Sequence, residues 1–433
     1  MMMQKKWSLE LARGVAIGAT VTAAAGLLAT GAGKQSWAGL KESPKQLVDE
    51  VWQIIYRDYV DASFNKNDWR QVRQQVLSRE YSSKEEAYKA IREMLDKLGD
   101  PYTRFMDPQQ FANLRVDTSG ELTGVGIQLA QEEKTDRLVV IAPIEDTPAA
   151  RAGILAQDYI VSIDGRSTKG MDINEAVSLI RGRPGTTVRL VIERGKQTLD
   201  FTLKRERIEL HAVRHELRET PTGKVGYIRM TQFNGNASQD VREAIRKLES
   251  QGVSGYILDL RSNPGGLLQA SIDIARMWMN KGTIVSTVTR VGEAERYEAS
   301  RRPLTERPLV ILVDGGSASA SEILAGALQD NGRATLVGTK TFGKGLVQSV
   351  RELQDGSGVA VTIARYLTPS GKDINKEGIV PDVEIGLTDE QREKIIKDRA
   401  IGTPADPQYA RAVDVLTDLV RKNSTTLRQG SAR

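Results

Sequence analysis

The sequence predicts an α/β multidomain protein with a helical N-terminal segment, a small β-rich module and a larger α/β core. Three observations carry this expectation. Apolar residues recur at three- and four-residue steps over residues 44–115, short β-type runs broken by glycine turns fill 118–203, and compact apolar strands alternate with helical stretches over 206–387. At 433 residues the chain is long enough for two or three domains, each with its own core.

Composition narrows the chemistry before any motif is read. With no cysteine and two histidines, the chain has no thiol nucleophile, disulfide framework, iron–sulfur cluster or zinc ribbon, and few imidazoles for a metal or a histidine-based triad. No metal or other cofactor is expected. Lys+Arg 61 against Asp+Glu 56 gives +5, but Lys5, Lys6, Arg13 and Lys34 against Glu10 place +3 of it in residues 1–38. The rest of the chain has no clustered basic face, so nucleic acid is not an expected partner.

Residues 1–38 read as a targeting segment. Lys5, Lys6 and Arg13 precede an uncharged run from Gly14 to Gly33, and Ser36-Trp37-Ala38 offers small residues where a signal peptidase reads. The run is built from Ala, Gly and Thr with few strong apolar residues, which favours a cleaved signal peptide over a retained membrane anchor. Either way the chain is expected to be exported.

Residues 44–115 form the helical domain. Val48, Val51, Trp52, Ile55 and Tyr59 make one apolar face; Ala87, Ala90, Ile91, Met94, Leu95 and Leu98 make another behind an N-cap signal at Ser82-Ser83. No convergent chemistry is visible in it, so packing or dimerisation is its expected role. Residues 118–203 hold strands at 138–142, 159–163 and 187–192 and an amphipathic helix at 173–180.

The order of its pieces, Gly124-Val125-Gly126-Ile127, then 147–153, then 158–165, resembles a bacterial PDZ domain. Backbone N–H groups of the Gly-x-Gly turn can cradle a peptide's terminal carboxylate, and the strand from Ile127 to Ala130 can pair with an extended peptide. Ala176, Val177 and Ile180 on the helix are expected to cover the last side chain. An ordinary β-turn would also give Gly-Val-Gly-Ile taken alone.

Within 206–387, the runs 256–260 and 309–313 have the composition of buried strands, each followed by a glycine-bearing turn and a helix. Residues 388–433 follow, with a helix over 409–420 and a polar end, 423–433, expected to be disordered. The richest constellation is Asp314-Gly-Gly-Ser317-Ala318-Ser319-Ala320-Ser321-Glu322, a small-residue turn feeding a helix. A serine there sits at the carboxyl edge of a sheet beside unsatisfied helix N–H groups, which suits a nucleophile and an oxyanion site; it equally suits a plain N-cap.

His211 and His215 lie outside any glycine turn and read as strand or linker residues. A desolvated lysine can activate a serine instead. Lys344, in Phe342-Gly343-Lys344-Gly345, stands 25 residues beyond Ser319, with Gln348 four residues later as an amide able to orient the amine without taking its proton. Walker-type spacing before Lys344 is absent, so this is not read as a phosphate loop. In Asp259-Leu-Arg261-Ser-Asn-Pro-Gly265-Gly266, the turn lets backbone approach closely, so Gly265 or Gly266 can supply a second oxyanion amide beside that of Ala320. Asp259 and Arg261 read as structural partners.

Together, residues 259–266, 316–323, 325–330, 338–345, 368–371 and 378–382 resemble the carboxyl-terminal processing peptidases, or tail-specific proteases, and the match covers roughly 44–387. The resemblance implies Ser319 as nucleophile, Lys344 as general base, Gln348 as its orienter, and Ala320 with Gly265 as oxyanion hole. It selects Ser319 over Ser317 and Ser321 by the family's Ser-to-Lys interval. The implied fold is a helical domain, a PDZ domain and an α/β Ser–Lys protease core. Asp314 stands where the family more often has Asn.

Residues 49–59 and 99–105 most resemble cyanobacterial and chloroplast members, some of which trim a photosystem reaction-centre subunit. The expectation is an exported serine endopeptidase of the periplasm or thylakoid lumen that binds protein C-termini through its PDZ domain. Membrane contact through the N-terminal segment and oligomerisation are left open. A non-catalytic C-terminus-binding module or chaperone, and a signalling protease acting on a membrane regulator, are the alternatives.

Overall fold

The computed structural model describes residues 43–132, 135–221 and 223–430; the targeting segment expected over residues 1–38 lies outside the described residues. Among those described, no helix is long and apolar enough to cross a membrane.

Helices Pro44–Asp58, Trp69–Leu77 and Lys84–Asp96 close on one another through the apolar faces legible in the sequence, with Val48, Val51, Ile55, Ala87 and Ile91 wholly buried. Polar caps fix their starts. The Asp68 carboxylate accepts the Arg70 and Gln71 N–H groups, and the Ser83 hydroxyl accepts that of Glu86. The same cluster includes Leu353, Val359 and Val361, which belong to the α/β core segment. Strand Arg104–Met106 pairs antiparallel with Gly358–Leu367, so the helical segment contributes a strand to a core sheet.

Helix Pro108–Ser119 ends at Gly120, whose left-handed backbone (φ 71°) turns the chain toward the β-rich module. The module is a sheet in the order 127–131, 138–143, 159–163, 187–194, 197–204, with helix Ile173–Ile180 against it. The chain enters through Glu121–Gly124 and leaves through Glu206–Glu209, and these two strands pair antiparallel with each other.

The core is a six-stranded sheet in the order 213–220, 223–230, 255–259, 309–313, 335–338, 383–384, parallel from its second strand onward. Helices Ala237–Ser250, Leu268–Trp278 and Ala320–Asp330 cover one face, and helix Pro407–Gly430 covers the other with Tyr409, Ala412 and Leu416. Burial on both faces explains why Leu309–Val313 reads as five consecutive apolar residues, all buried. His215 lies in the first strand, as expected. One expectation fails. The C-terminal helix runs from Pro407 to Gly430, through most of the segment expected to be disordered, because nothing from Asn423 to Gln429 breaks a helix.

Candidate active site

Strand Leu309–Val313 delivers the turn 314–318 to the carboxyl edge of the sheet, and helix Ala320–Asp330 leaves from it. The three nearby serines have different fates. The Ser317 hydroxyl donates to the Leu260 carbonyl at 2.8 Å and that of Ser321 to the Asn263 carbonyl at 2.9 Å, and both residues are wholly buried. Ser319 is only half-buried and has φ 56° and ψ −114°, a conformation that costs a non-glycine residue on the order of 1–3 kcal/mol. Strain of this kind persists where surrounding contacts enforce it, and it lifts this one serine out of the turn.

The enforcing group is Glu322, a wholly buried carboxylate one helical turn on. Its Oε2 accepts the Ser319 N–H at 2.8 Å and the Lys344 N–H at 2.9 Å. Its Oε1 accepts the Gly343 N–H at 2.7 Å and the Thr341 hydroxyl at 2.6 Å. One side chain thus sets the backbone of both Ser319 and Lys344. The sequence carries the signal for half of this, since Ser319-x-x-Glu322 is a capping-box spacing; nothing in the spacing announces the reach to Lys344.

The Lys344 amine makes no hydrogen bond to Ser319 among the described residues and lies 4.7 Å from the centre of the Tyr102 ring. Burial, and then the Arg104 guanidinium, hold it below its ordinary value, against the opposing pull of Asp100 and Glu322. Gln348 stands opposite Thr362 on the neighbouring strand, and its Nε2 is buried with no hydrogen-bond partner. The helical segment, read from sequence as chemically inert, therefore brings Asp100, Tyr102 and Arg104 to the lysine. That is a correction. The residues lie some 240 positions before Lys344, and only the strand pairing at 104–106 brings them near.

Gly265 packs directly on Ser319: a Cβ there would meet the Ala318 carbonyl oxygen at 2.6 Å, the Ala320 nitrogen at 2.8 Å and Ser319 Cβ at 2.9 Å. Its own N–H, however, donates to Asn263 Oδ1 at 3.0 Å. The Gly265 amide is therefore engaged in this arrangement. The N–H groups of Gly266 and Ala320 carry no such bond among the described residues. Asp314 clasps this turn to the serine turn, with Oδ1 accepting the N–H groups of Ser262 at 2.8 Å and Gly316 at 2.9 Å. Behind it, Asp259 is paired by both its oxygens with Arg261 (2.9 and 2.6 Å) and accepts the Tyr227 hydroxyl at 2.7 Å.

In the β-rich module, Gly124 ends the entering strand, Val125 is wholly buried, and Gly126 has φ 80° with Thr147 filling the space a Cβ would need. Among the described residues, strand Ile127–Gln131 pairs only with Leu138–Pro143 and leaves an open edge. Ala176 and Ile180 are spent on the module's own core, leaving Val177 and Ile173 half-buried. No group of three or more metal-ligating side chains occurs among the described residues.

Residues 224–385 match peptidase family S41 and residues 139–194 match the PDZ domain. Over 376 residues the chain is 47% identical to a carboxyl-terminal-processing protease of Synechocystis, covering 86% of this chain and 87% of that one. It is 44% identical over 359 residues to carboxyl-terminal-processing peptidase 2, chloroplastic, of Arabidopsis thaliana, covering 80% and 69% of the two chains. The solved photosystem II D1 C-terminal processing protease superposes with TM-score 0.55 at 38% identity, covering 85% of this chain and 99% of that one. The chain belongs to peptidase family S41, as a carboxyl-terminal-processing serine protease of the type found in cyanobacteria and chloroplasts.

Proposed function

We propose that the protein captures the C-terminus of an exported protein on its PDZ domain and removes the C-terminal segment through a Ser319 acyl-enzyme. The Lys344 amine takes the Ser319 hydroxyl proton as Oγ attacks the scissile carbonyl. The Ala320 N–H and the Gly265-Gly266 turn receive the oxyanion; Gly266 has the N–H free to do so. The resulting Lys344 ammonium gives its proton to the departing amine, and water then hydrolyses the ester with Lys344 again as base. Gln348, whose buried amide has no other partner for its Nε2, accepts an amine N–H on its Oε1 and so leaves the lone pair aimed at the Ser319 hydroxyl.

The carrying observation is the Glu322 carboxylate, which ties the Ser319 and Lys344 backbones to one anchor while Ser317 and Ser321 are consumed structurally. On the PDZ domain, the Gly124-Val125-Gly126-Ile127 turn and the open edge strand are the proposed peptide site. A cleft of about 790 Å³ runs from Gln128 on that strand to Gln232 and Asn234, beside the residue that pairs with the oxyanion turn. Arg181, whose Nη1 donates to Asn113 at 3.1 Å, links the PDZ domain to helix Pro108–Ser119 and is proposed to relay occupancy.

The lumen or periplasm is the proposed location, and the D1 precursor tail, named for the superposing structure, is the first substrate to try. The test compares wild type with Ser319→Ala on a tailed precursor and identifies C-termini that lengthen in cells carrying the variant. Equal cleavage by both removes Ser319 as nucleophile, and cleavage by neither favours a binding role.

A further inference from the structure

The helical domain's closest approach to the chemistry is the turn 99–105. Gly99 enters it with φ 63°, and the Asp100 side chain organises it: Oδ1 accepts the Tyr102 N–H at 2.9 Å, while Oδ2 accepts the hydroxyls of Thr103 at 2.7 Å and Thr362 at 2.6 Å. The Thr362 N–H donates to the Thr103 hydroxyl at 3.0 Å. Thr362 is the residue paired across the sheet from Gln348. The Tyr102 ring is therefore fixed to the same strand pair that carries Gln348, and its face meets the Lys344 amine.

We propose that Tyr102 is a positioning residue for Lys344: its ring is the wall that keeps the amine out of water and on the serine's side of the site. The proposal rests on the Ser319/Lys344 reading. The groups facing the amine are Asp100, Tyr102 and Arg104 from this turn and Glu322 from the nucleophile's helix. The ring face itself favours the charged amine slightly, but burial is the largest influence on Lys344 and favours the neutral form. Removing the ring admits water, so the amine holds its proton to higher pH and the neutral base becomes scarcer at neutral pH.

The experiment measures kcat/KM against pH for wild type, Tyr102→Phe and Tyr102→Ala on a folded reporter with a flexible C-terminal tail ending in small apolar residues. Circular dichroism melts and PDZ-peptide binding are recorded for each variant. Tyr102→Phe keeps the ring face and is expected to follow wild type. Tyr102→Ala is expected to move the acid limb up by about one pH unit, costing about tenfold below that limb and recovering at alkaline pH. An unmoved acid limb in a folded Tyr102→Ala overturns the proposal, as does faster cleavage at neutral pH, which would make the ring a restraint. Loss of all activity in Ser319→Ala with an unmoved limb in Tyr102→Ala leaves the dyad standing and removes only the wall; retained activity in Ser319→Ala removes the dyad itself.

Discussion

At Ser319 the backbone is strained and the side chain is the proposed nucleophile, so stability and the proposed activity are set against each other at one position. Ser319→Gly is expected to be inactive yet to melt higher than Ser319→Ala, because glycine accepts a positive φ without penalty; the difference is on the order of 1 kcal/mol. Differential scanning calorimetry of the two variants checks it. Glu322→Gln replaces an oxygen that accepts two hydrogen bonds with a group that donates, so backbone N–H groups at Ser319 and Lys344 or at Gly343 lose their acceptor. A loss of about 1–3 kcal/mol in stability and at least about a hundredfold in kcat/KM is expected, read by denaturant unfolding and kinetics. Because the Lys344 amine is held below its ordinary value and only its neutral form accepts a proton, cleavage should rise from about pH 5 through neutrality to mildly alkaline pH; a flat profile to about pH 9 would reject the base. Ser319 and Lys344 stand out in the sequence as candidates because a strand, a small-residue turn and a family interval mark them. Tyr102 does not, because its role depends on a fold-level pairing that no local pattern records.

The strands and helices of the core follow their sequence signals closely, since Leu309–Val313 and Ile173–Ile180 begin and end where apolar pattern and turn chemistry place them. What the pattern could not give is how elements are tied. Arg261 joins Asp259 on one strand end to Asp406 (2.8 Å) and Gln408 (3.0 Å) at the start of the C-terminal helix. Burial pushes the Asp259 carboxyl up, but the Arg261 bonds and charge outweigh it, with help from Arg229 and the Tyr227 hydroxyl, and leave it below its ordinary 3.8. A depressed carboxyl adds stability above its unfolded value and loses it as pH falls through the folded one. Acid unfolding should therefore involve this cluster only below about pH 4. Asp259→Ala leaves the buried Arg261 held by Asp406 and Gln408 alone and removes the acceptor of the Tyr227 hydroxyl, and should cost about 1–3 kcal/mol in urea unfolding at neutral pH.

Across the whole molecule, the three segments read from the sequence are less separate than their composition implies. Hydrophobic periodicity reports each segment's own core; it is silent on the strand Arg104–Met106 that crosses into another sheet and on the junction below helix Pro108–Ser119. There the Gly235 N–H donates to the Thr118 carbonyl at 2.9 Å, and Asn236 Nδ2 donates to that of Gly120 at 2.9 Å, two residues beyond the Phe233 N–H bond to Gly265. A Cβ on Gly235 would meet the Ser119 carbonyl oxygen at 2.6 Å. Gly235→Ala should thus part the PDZ junction from the Gly265-Gly266 turn, lowering kcat about tenfold while leaving peptide affinity for the PDZ domain unchanged. Fluorescence anisotropy beside steady-state cleavage separates the two; equal losses in both would argue against a link through this junction.

The chain enters and leaves the PDZ domain along one two-stranded ribbon, with Leu122 directly opposite Ile208. Its two ends therefore lie a strand spacing apart, about 5 Å. Such a domain is a cassette: another peptide-binding module with adjacent termini can be spliced between residues 124 and 206 without lengthening the frame. Diversification of what this protease family cuts can then proceed by exchange of the reader, with the chemistry inherited unaltered.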